Sequence, residues 1–181
     1  MEFDVLTLPG LWNSGPQHWQ TEWEKNHPDW RRVQQRDWET PDAAEWVATL
    51  DAAIAACKRA PVLVAHSLAV SLVTRWAASG SPHRIAGAFL VAPSDTDAST
   101  YPDCTTGFQP MLVEPLPFPS LLVISTDDPY VTQERAQAFG AAWGSKVVAI
   151  GNAGHINGDA GYGPWPEGEL MLRDFCVSAN G

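Results

Sequence analysis

Ser67, the adjacent aspartates Asp127 and Asp128, and His155 are residue types that together can make a hydroxyl nucleophilic. A serine hydroxyl attacks a carbonyl poorly unless a base lies within hydrogen-bonding reach, and that base needs a carboxylate to fix its tautomer. Such a set transfers the acyl group of an ester-like substrate to the serine and then to water. Because these residues are far apart in the chain, the fold must bring them together.

The stretch around Ser67, PVLVAHSLAVSLVTRWA (residues 61–77), passes from an apolar run to a helical pattern without any turn residue between them. A nucleophile elbow has this organisation, with the serine on a strained turn between a strand and a helix. The residues two before and two after the serine must be small, and the usual pattern is G-x-S-x-G. Here Ala65 and Ala69 occupy those positions. The alternative interpretation is that Ser67 only caps the helix, since serine is common at N-caps.

The rest of the chain alternates apolar runs with amphipathic stretches. The predicted strands are residues 3–8, 61–66, 84–93, 119–126 and 146–150, with a weaker edge strand at 31–38. The predicted helices are residues 16–26, a segment capped by Thr40, residues 67–79 and 132–143, and a last helix from about 166. Uniformly apolar strands between helices are typical of a parallel sheet covered on both faces. We therefore predict a compact, doubly wound α/β fold: a single domain over residues 1–181, about six mainly parallel strands, helices on both faces and no large lid.

In doubly wound sheets the reactive groups lie on loops at the carboxyl ends of the strands. Ser67, the aspartate pair and His155 each follow a different predicted strand, and their order is the order used by α/β-hydrolases. Neighbouring residues in an extended loop point in opposite directions, so one aspartate at most should face His155. The apolar residues that follow favour Asp128, while Asp127 remains open. The five glycines of residues 151–163 indicate a shaped loop around His155, although a solvated loop histidine is the alternative.

Four segments carry a resemblance to a known family: LPGLWNSGPQHW near the start, AHSLA at the elbow, STDDPYV, and GHING near the end. With these segments the chain, from about Phe3 to Phe175, resembles the small single-domain serine hydrolases of the α/β-hydrolase superfamily that include retinoblastoma-binding protein nine and its bacterial relatives. The resemblance implies Ser67 as nucleophile, Asp128 as orienting acid and His155 as base. The chain departs from its relatives at the elbow alanines, where glycine is more frequent.

An oxyanion needs two hydrogen-bond donors. We expect one donor to be the backbone N–H of Leu68. The other should come from the loop after the first predicted strand (the first loop, residues 9–15), at Leu11 or Trp12. Leu11 is favoured because it directly follows Pro-Gly. The segment 94–118 is the only place for a lid and is too short for a cap domain, so we expect a shallow cleft for a small or medium acyl group. The candidate cleft walls are Trp12, Tyr101, Phe108 and Trp165.

Several other polar residues receive structural interpretations. His66 should pack under the turn because it cannot usefully reach the hydroxyl of its neighbour. For His18, which lies just past the first loop, a place in the cleft lining is one interpretation, and a surface helix residue is the favoured one. The aspartates of the loop at 95–103 are interpreted as solvated, since they lack the order of metal ligands.

The composition limits the classes of function. A net charge of −10 disfavours binding to nucleic acid or to anionic membranes. No signal peptide or membrane-spanning run is evident, and the three cysteines lack the spacing of a disulfide framework or zinc site. We expect a cytoplasmic chain that needs no cofactor or metal and acts on a small-molecule acyl substrate. The sequence carries no indication of oligomeric state.

The favoured hypothesis is a carboxylesterase-like serine hydrolase that cleaves a small ester, thioester or amide through an acyl-enzyme on Ser67. The alternative is a protein- or ligand-binding module on a hydrolase fold with weak or silent catalysis, because a fold does not guarantee activity. A dehalogenase or another enzyme with an aspartate nucleophile is disfavoured, since the elbow residue is serine.

Overall fold

A computed structural model describes residues 3–178 as one six-stranded, fully parallel sheet with helices on both faces. The strands are β1 (Val5–Leu8), β2 (Arg31–Arg32), β3 (Val62–His66), β4 (Gly87–Val91), β5 (Ser120–Ile124) and β6 (Lys146–Ala149), in the spatial order β2-β1-β3-β4-β5-β6. The helices are α1 (Trp19–Asn26), α2 (Ala43–Ala55), α3 (Leu68–Ala78), α4 (Gln133–Trp143) and α5 (Pro166–Ser178). The predicted doubly wound fold is confirmed.

The apolar runs became central strands because they are buried on both faces. Every residue of β1, β3, β4 and β5 is buried. One core lies between the sheet and helices α2, α3 and α4, and includes Leu50, Leu72 and Phe139. The other lies under α1 and α5 and is rich in aromatic side chains, among them Trp19 and Trp23. Because all six strands are parallel, their carboxyl ends lie at one edge of the sheet, where the site is expected.

Three of the element boundaries that differ from the prediction are set by turn or capping hydrogen bonds. The edge strand covers only Arg31–Arg32 rather than residues 31–38, because Asp37 accepts hydrogen bonds from the Glu39 and Thr40 N–H groups and turns the chain toward α2. Asp42, not Thr40, caps α2, since its carboxylate accepts from the Glu45 N–H.

Helix α1 begins at Trp19 rather than at Pro16, and its N-cap is His18. The His18 Nδ1 atom accepts from the Gln20 N–H at 3.2 Å. A histidine at an N-cap is outside the usual set of capping residues, so a search for capping side chains would pass over it.

The segment between β4 and β5 forms no lid. Within the described residues it contains no helix or strand longer than an isolated bridge between Asp42 and Thr106. Its own hydrogen bonds hold it down, with the Gln109 amide donating to the Thr96 carbonyl and the Met111 N–H donating to Asp97. Among residues 3–178, no helix has both the length and the apolar character to cross a membrane.

Candidate active site

Ser67, His155 and Asp128 form a continuous hydrogen-bonded chain at the carboxyl edge of the sheet. His155 Nε2 lies 2.8 Å from Ser67 Oγ, and His155 Nδ1 lies 2.9 and 3.0 Å from the two Asp128 oxygens. The Asp128 side chain is fully buried and the imidazole of His155 nearly so. A neutral imidazole that donates from Nδ1 to a carboxylate has its Nε2 free to accept, which is the state of a base facing a hydroxyl.

The backbone of Ser67 is strained. Its φ is 59° and its ψ is −124°, a conformation that a non-glycine residue rarely adopts. The Ser67 side chain makes no capping hydrogen bond to α3, which rules out a simple N-cap role. The small residues predicted on either side, Ala65 and Ala69, are both completely buried. The strand-to-helix turn therefore has the elbow conformation with alanine at both flanking positions.

The two adjacent aspartates have different partners. Asp127 Oδ1 accepts from the N–H groups of Ala153 and Gly154, both at 2.8 Å, and from Ser125 Oγ at 2.8 Å. These hydrogen bonds, the one from Ser125 foremost, lower the pKa of Asp127. Asp127 thus ties the loop after β5 to the loop that carries His155, while Asp128 faces the imidazole.

Tryptophans of α1 hold the other side of the His155 loop. The Trp19 indole N–H donates to the Ile156 carbonyl at 2.8 Å, and the Trp23 indole N–H donates to the Pro164 carbonyl at 2.7 Å. His66 lies under the turn, as predicted, with Nε2 donating to the His155 carbonyl at 2.9 Å. Burial lowers the pKa of His66 well below its usual value, so its ring is neutral.

Gly10 brings the first loop against the elbow. A Cβ at this position would lie 2.8 Å from Ser67 Cβ and 2.9 Å from the His66 carbonyl oxygen, so only glycine permits the approach. The Trp12 N–H donates to the Trp38 carbonyl at 2.8 Å and is therefore occupied. Within residues 3–178, the N–H groups of Leu11 and Leu68 make no hydrogen bond. Of the two first-loop candidates for an oxyanion donor, Leu11 is the one that remains.

A cleft of about 400 Å³ opens over Ser67. Two of the predicted wall residues, Trp12 and Tyr101, line it, and Trp12 is 64% exposed. Phe108 and Trp165 do not, and these two assignments were wrong. Phe108 is fully buried and packs edge-on against the Trp46 ring. Trp165 is buried as well.

Trp165 stacks on Trp23 in the aromatic core. The aromatic wall residues were all predicted to line the cleft because they are in or near loops, although side chains of this size are usually buried in the core. Sequence reasoning missed Tyr130, which lines the cleft with its ring centroid 4.5 Å from that of His155.

For His18, the favoured interpretation as a surface helix residue was wrong. It lines the cleft, is only 7% exposed and contacts the His66 ring, with 4.7 Å between the ring centroids. Burial, together with the charges of Arg32 and His155, lowers the pKa of His18 to about 3. Its location just past the first loop, beside the strand edge, is the signal that supported the alternative of a cleft residue.

The loop after β4 also contributes to the site. Ser94 Oγ lies 2.9 Å from Ser67 Oγ. Asp95, expected to be solvated, is instead 7% exposed and makes two hydrogen bonds to the Arg135 guanidinium, which lower its pKa. Because β4 is next to β3 in the parallel sheet, the loop that follows β4 lies beside the elbow, and its residues could have been predicted to line the site. Among the described residues, no group of three or more His, Cys, Asp or Glu side chains could hold a metal ion.

The sheet order and the serine at a strand–helix elbow define an α/β-hydrolase, and solved structures agree. A YdeN-like hydrolase from Pectobacterium atrosepticum is 33% identical to this chain, covering 98% of it and 92% of its own length, with a TM-score of 0.88. The ydeN gene product of B. subtilis is 19% identical over 96% of this chain and 98% of its own, with a TM-score of 0.79. The esterase RhEst1 from Rhodococcus sp. ECU1013 shares the fold at 14% identity, covering 98% of this chain and 91% of its own, with a TM-score of 0.72.

A comparison of the amino-acid sequence with models of protein families identifies the family of this chain. The model of the serine hydrolase family matches residues 5–174, and the chain belongs to that family. A comparison with curated proteins yielded no significant match. The resemblance noted in the sequence is confirmed at the level of the family, and the chain is a hydrolase of the α/β superfamily.

Proposed function

We propose that this hydrolase cleaves a small carboxylic ester through an acyl-enzyme on Ser67. The observation that carries the proposal is His155, which bridges the Ser67 hydroxyl and the buried Asp128 carboxylate with hydrogen bonds of 2.8 and 2.9 Å. Thioesters and amides are cleaved by the same set of groups, so the choice among these substrates depends on the lining of the cleft.

The reaction has two halves. His155 Nε2 takes the Ser67 proton while Oγ bonds to the carbonyl carbon, and the carbonyl oxygen becomes an oxyanion near the N–H groups of Leu68 and Leu11. The intermediate collapses as the bond to the leaving group breaks, and that group takes the proton from His155. Water, deprotonated by the same imidazole, then attacks the acyl-enzyme, and Ser67 recovers its proton as the acid leaves.

The charge of the cleft narrows the substrate class. Of the described residues that line it, none is lysine or arginine. Of its two carboxylates, Asp95 is paired with Arg135 and Asp159 is exposed. Since the whole chain also has a net charge of −10, an anionic acyl or leaving group would meet an unfavourable potential. We therefore favour neutral esters over thioesters of polyanionic carriers. Trp12, Tyr101 and Tyr130 supply apolar area for the acyl or alcohol part.

The test of the mechanism is the burst of p-nitrophenol from p-nitrophenyl acetate. We expect a burst of about one equivalent in the native protein, and a loss of roughly 10⁴-fold or more in turnover in Ser67→Ala. Ser71→Ala is the matched control, because Ser71 is on the same helix, is buried, and has no hydrogen-bond partner for Oγ within the described chain. Equal turnover in Ser67→Ala would reject the proposal and leave a binding role on a hydrolase fold.

Two esters that differ in charge test whether the cleft selects neutral substrates. Mono-p-nitrophenyl succinate and p-nitrophenyl butyrate have acyl chains of equal length, and only the first carries a carboxylate. We expect kcat/KM to be roughly tenfold lower for the succinate ester at low salt, with the difference shrinking as salt is added. Equal kcat/KM values for the two esters would show that the cleft does not select by charge.

A further inference from the structure

We propose that Ser94 is a second hydroxyl of the catalytic centre, donating a hydrogen bond to the nucleophilic oxygen of Ser67. This inference rests on the proposed function, because it gives Ser94 a role only if Ser67 attacks. The observation is the 2.9 Å distance between Ser94 Oγ and Ser67 Oγ, at a residue that also lines the cleft.

The direction of the hydrogen bond between Ser94 and Ser67 follows from the Asp128–His155 and His155–Ser67 hydrogen bonds. The Asp128 carboxylate can only accept, so the proton of a neutral His155 is on Nδ1, and Nε2 accepts. Ser67 must then give its single proton to Nε2. The proton between the two hydroxyls can therefore come only from Ser94, and Ser67 Oγ accepts it through a lone pair.

Ser94 is held rigidly where it can do this. It follows Pro93, whose ring fixes one backbone angle, and the next N–H, that of Asp95, donates to the Tyr130 carbonyl at 3.0 Å. The Asp95 carboxylate is clamped by Arg135 at 2.7 and 2.9 Å. These ties connect the loop after β4 to the loop that supplies Asp128. A donor fixed in this way needs no reorganisation when charge develops on its partner.

The consequence for the reaction is electrostatic. As the Ser67 proton moves to His155, negative charge grows on Oγ, and a hydrogen bond to a charged acceptor is stronger than one to a neutral acceptor. Ser94 keeps its own proton throughout. The same bond assists deacylation, when Oγ leaves the acyl carbon and is again charged before it takes the proton back from His155. Ser94 should therefore speed both halves of the reaction without changing substrate binding.

The test is the rate at which diisopropyl fluorophosphate inactivates the protein. In this reaction Ser67 Oγ bonds to phosphorus, the P–F bond breaks, and the Ser67 proton is lost through His155, so the rate reports the reactivity of Oγ. We expect Ser94→Ala to lower the second-order rate constant about tenfold. Ser99→Ala, which removes an exposed hydroxyl of the same loop outside the cleft, should leave it unchanged.

Proton NMR of the His155 Nδ1–H distinguishes loss of the Ser94 hydrogen bond from a general disturbance of the site. This proton resonates at low field while it is hydrogen-bonded to Asp128. Slower inactivation with that signal retained supports the proposal. An unchanged rate overturns it, and so does a slower rate accompanied by loss of the signal, since Ser94 would then act by holding the fold. If the native protein itself fails to react at Ser67, the proposed function falls; if the native protein reacts and Ser94→Ala reacts equally fast, only the role of Ser94 falls.

Discussion

The elbow (residues 65–69) and the histidine loop (residues 150–165) bring their functional groups to the same point by different means. In the elbow, Ser67 is placed by the strand before it and the helix after it, at the cost of an unfavourable φ of 59°. The histidine loop has no regular structure before α5, and is held by Asp127 on one side and by the α1 indoles on the other. Ser67, the proposed nucleophile, is thus fixed by its neighbours in the sequence, and His155, the proposed base, by residues distant from it.

Among changes that test how the two regions are held in place, the largest effect is expected where the first loop meets the elbow. In Gly10→Ala the new Cβ would overlap Ser67 Cβ and the His66 carbonyl oxygen, and these are parts of the elbow that cannot move independently. Since a misplacement of about 1 Å can cost roughly 10²-fold in rate, we expect kcat/KM for p-nitrophenyl acetate to fall about 100-fold. Gly15→Ala is the control in the same loop, because a Cβ there would meet nothing within 4 Å. Equal losses in the two variants would show that the contact at Gly10 is not the cause.

A smaller effect is expected from loosening the histidine loop. Asp127→Ala removes the acceptor of two backbone N–H groups next to His155 without touching the imidazole. We expect kcat/KM to fall about tenfold, with the loss mainly in kcat, because His155 would spend less time aligned with Ser67. Asp159→Ala, which removes an exposed carboxylate from the same loop, should change kcat/KM for this neutral ester little.

If Asp127→Ala retained full activity, the distinction between a locally fixed nucleophile and a remotely fixed base would be wrong. The indoles of α1 would then suffice to position the loop. Hydrogen exchange of the Ala153 and Gly154 amides would show directly whether the loop opens more often in the variant.

The smallest effect concerns the histidines packed between the two regions. His18 is neutral in the folded protein down to a pH of about 3, whereas in the unfolded chain it titrates near 6.5. The unfolded state therefore binds a proton first as the pH falls, and the free energy of unfolding should drop by up to about 1.4 kcal/mol per pH unit below pH 6.5 for this residue. Urea denaturation at pH 7.0, 6.0 and 5.0 measures this slope.

His18→Asn keeps an N-cap acceptor and removes the titrating ring. Whatever its stability at pH 7, the variant should lose less stability between pH 6.5 and 5 than the native protein. His66, whose pKa is also lowered by burial, contributes to the pH dependence of the free energy of unfolding that remains in this variant. A variant with the native slope would show that His18 does not take up a proton on unfolding in this range.

Much of this organisation could be predicted from local sequence. Runs such as Val62–His66 and Gly87–Val91 are apolar throughout, and a strand with no polar alternation has to be covered on both faces. Ser67 and His155 follow such strands, so parallel topology alone places them at one edge. The edge strand was predicted too long because an exposed strand has no burial pattern to mark its end.

Other features could not be predicted because they depend on side-chain direction across the fold. Phe108 and Trp165 are aromatic residues in loops, as are Trp12 and Tyr101. Phe108 and Trp165 are nevertheless buried in the core, whereas Trp12 and Tyr101 line the cleft. Which of two adjacent aspartates faces a histidine depends on the path of a loop within an ångström or two. Neither distinction is contained in spacing along the chain.

By itself, the sequence determined the sheet, the elbow and the residues that we propose to react, because hydrophobic runs and backbone preferences act between residues that are close in the chain. Only the tertiary structure decided that Asp127 anchors a loop while Asp128 meets the imidazole, that His18 is buried, and that Ser94 touches Ser67. Those outcomes depend on hydrogen bonds between loops that are distant in sequence. Their geometry is fixed only when the layers on both faces of the sheet have packed.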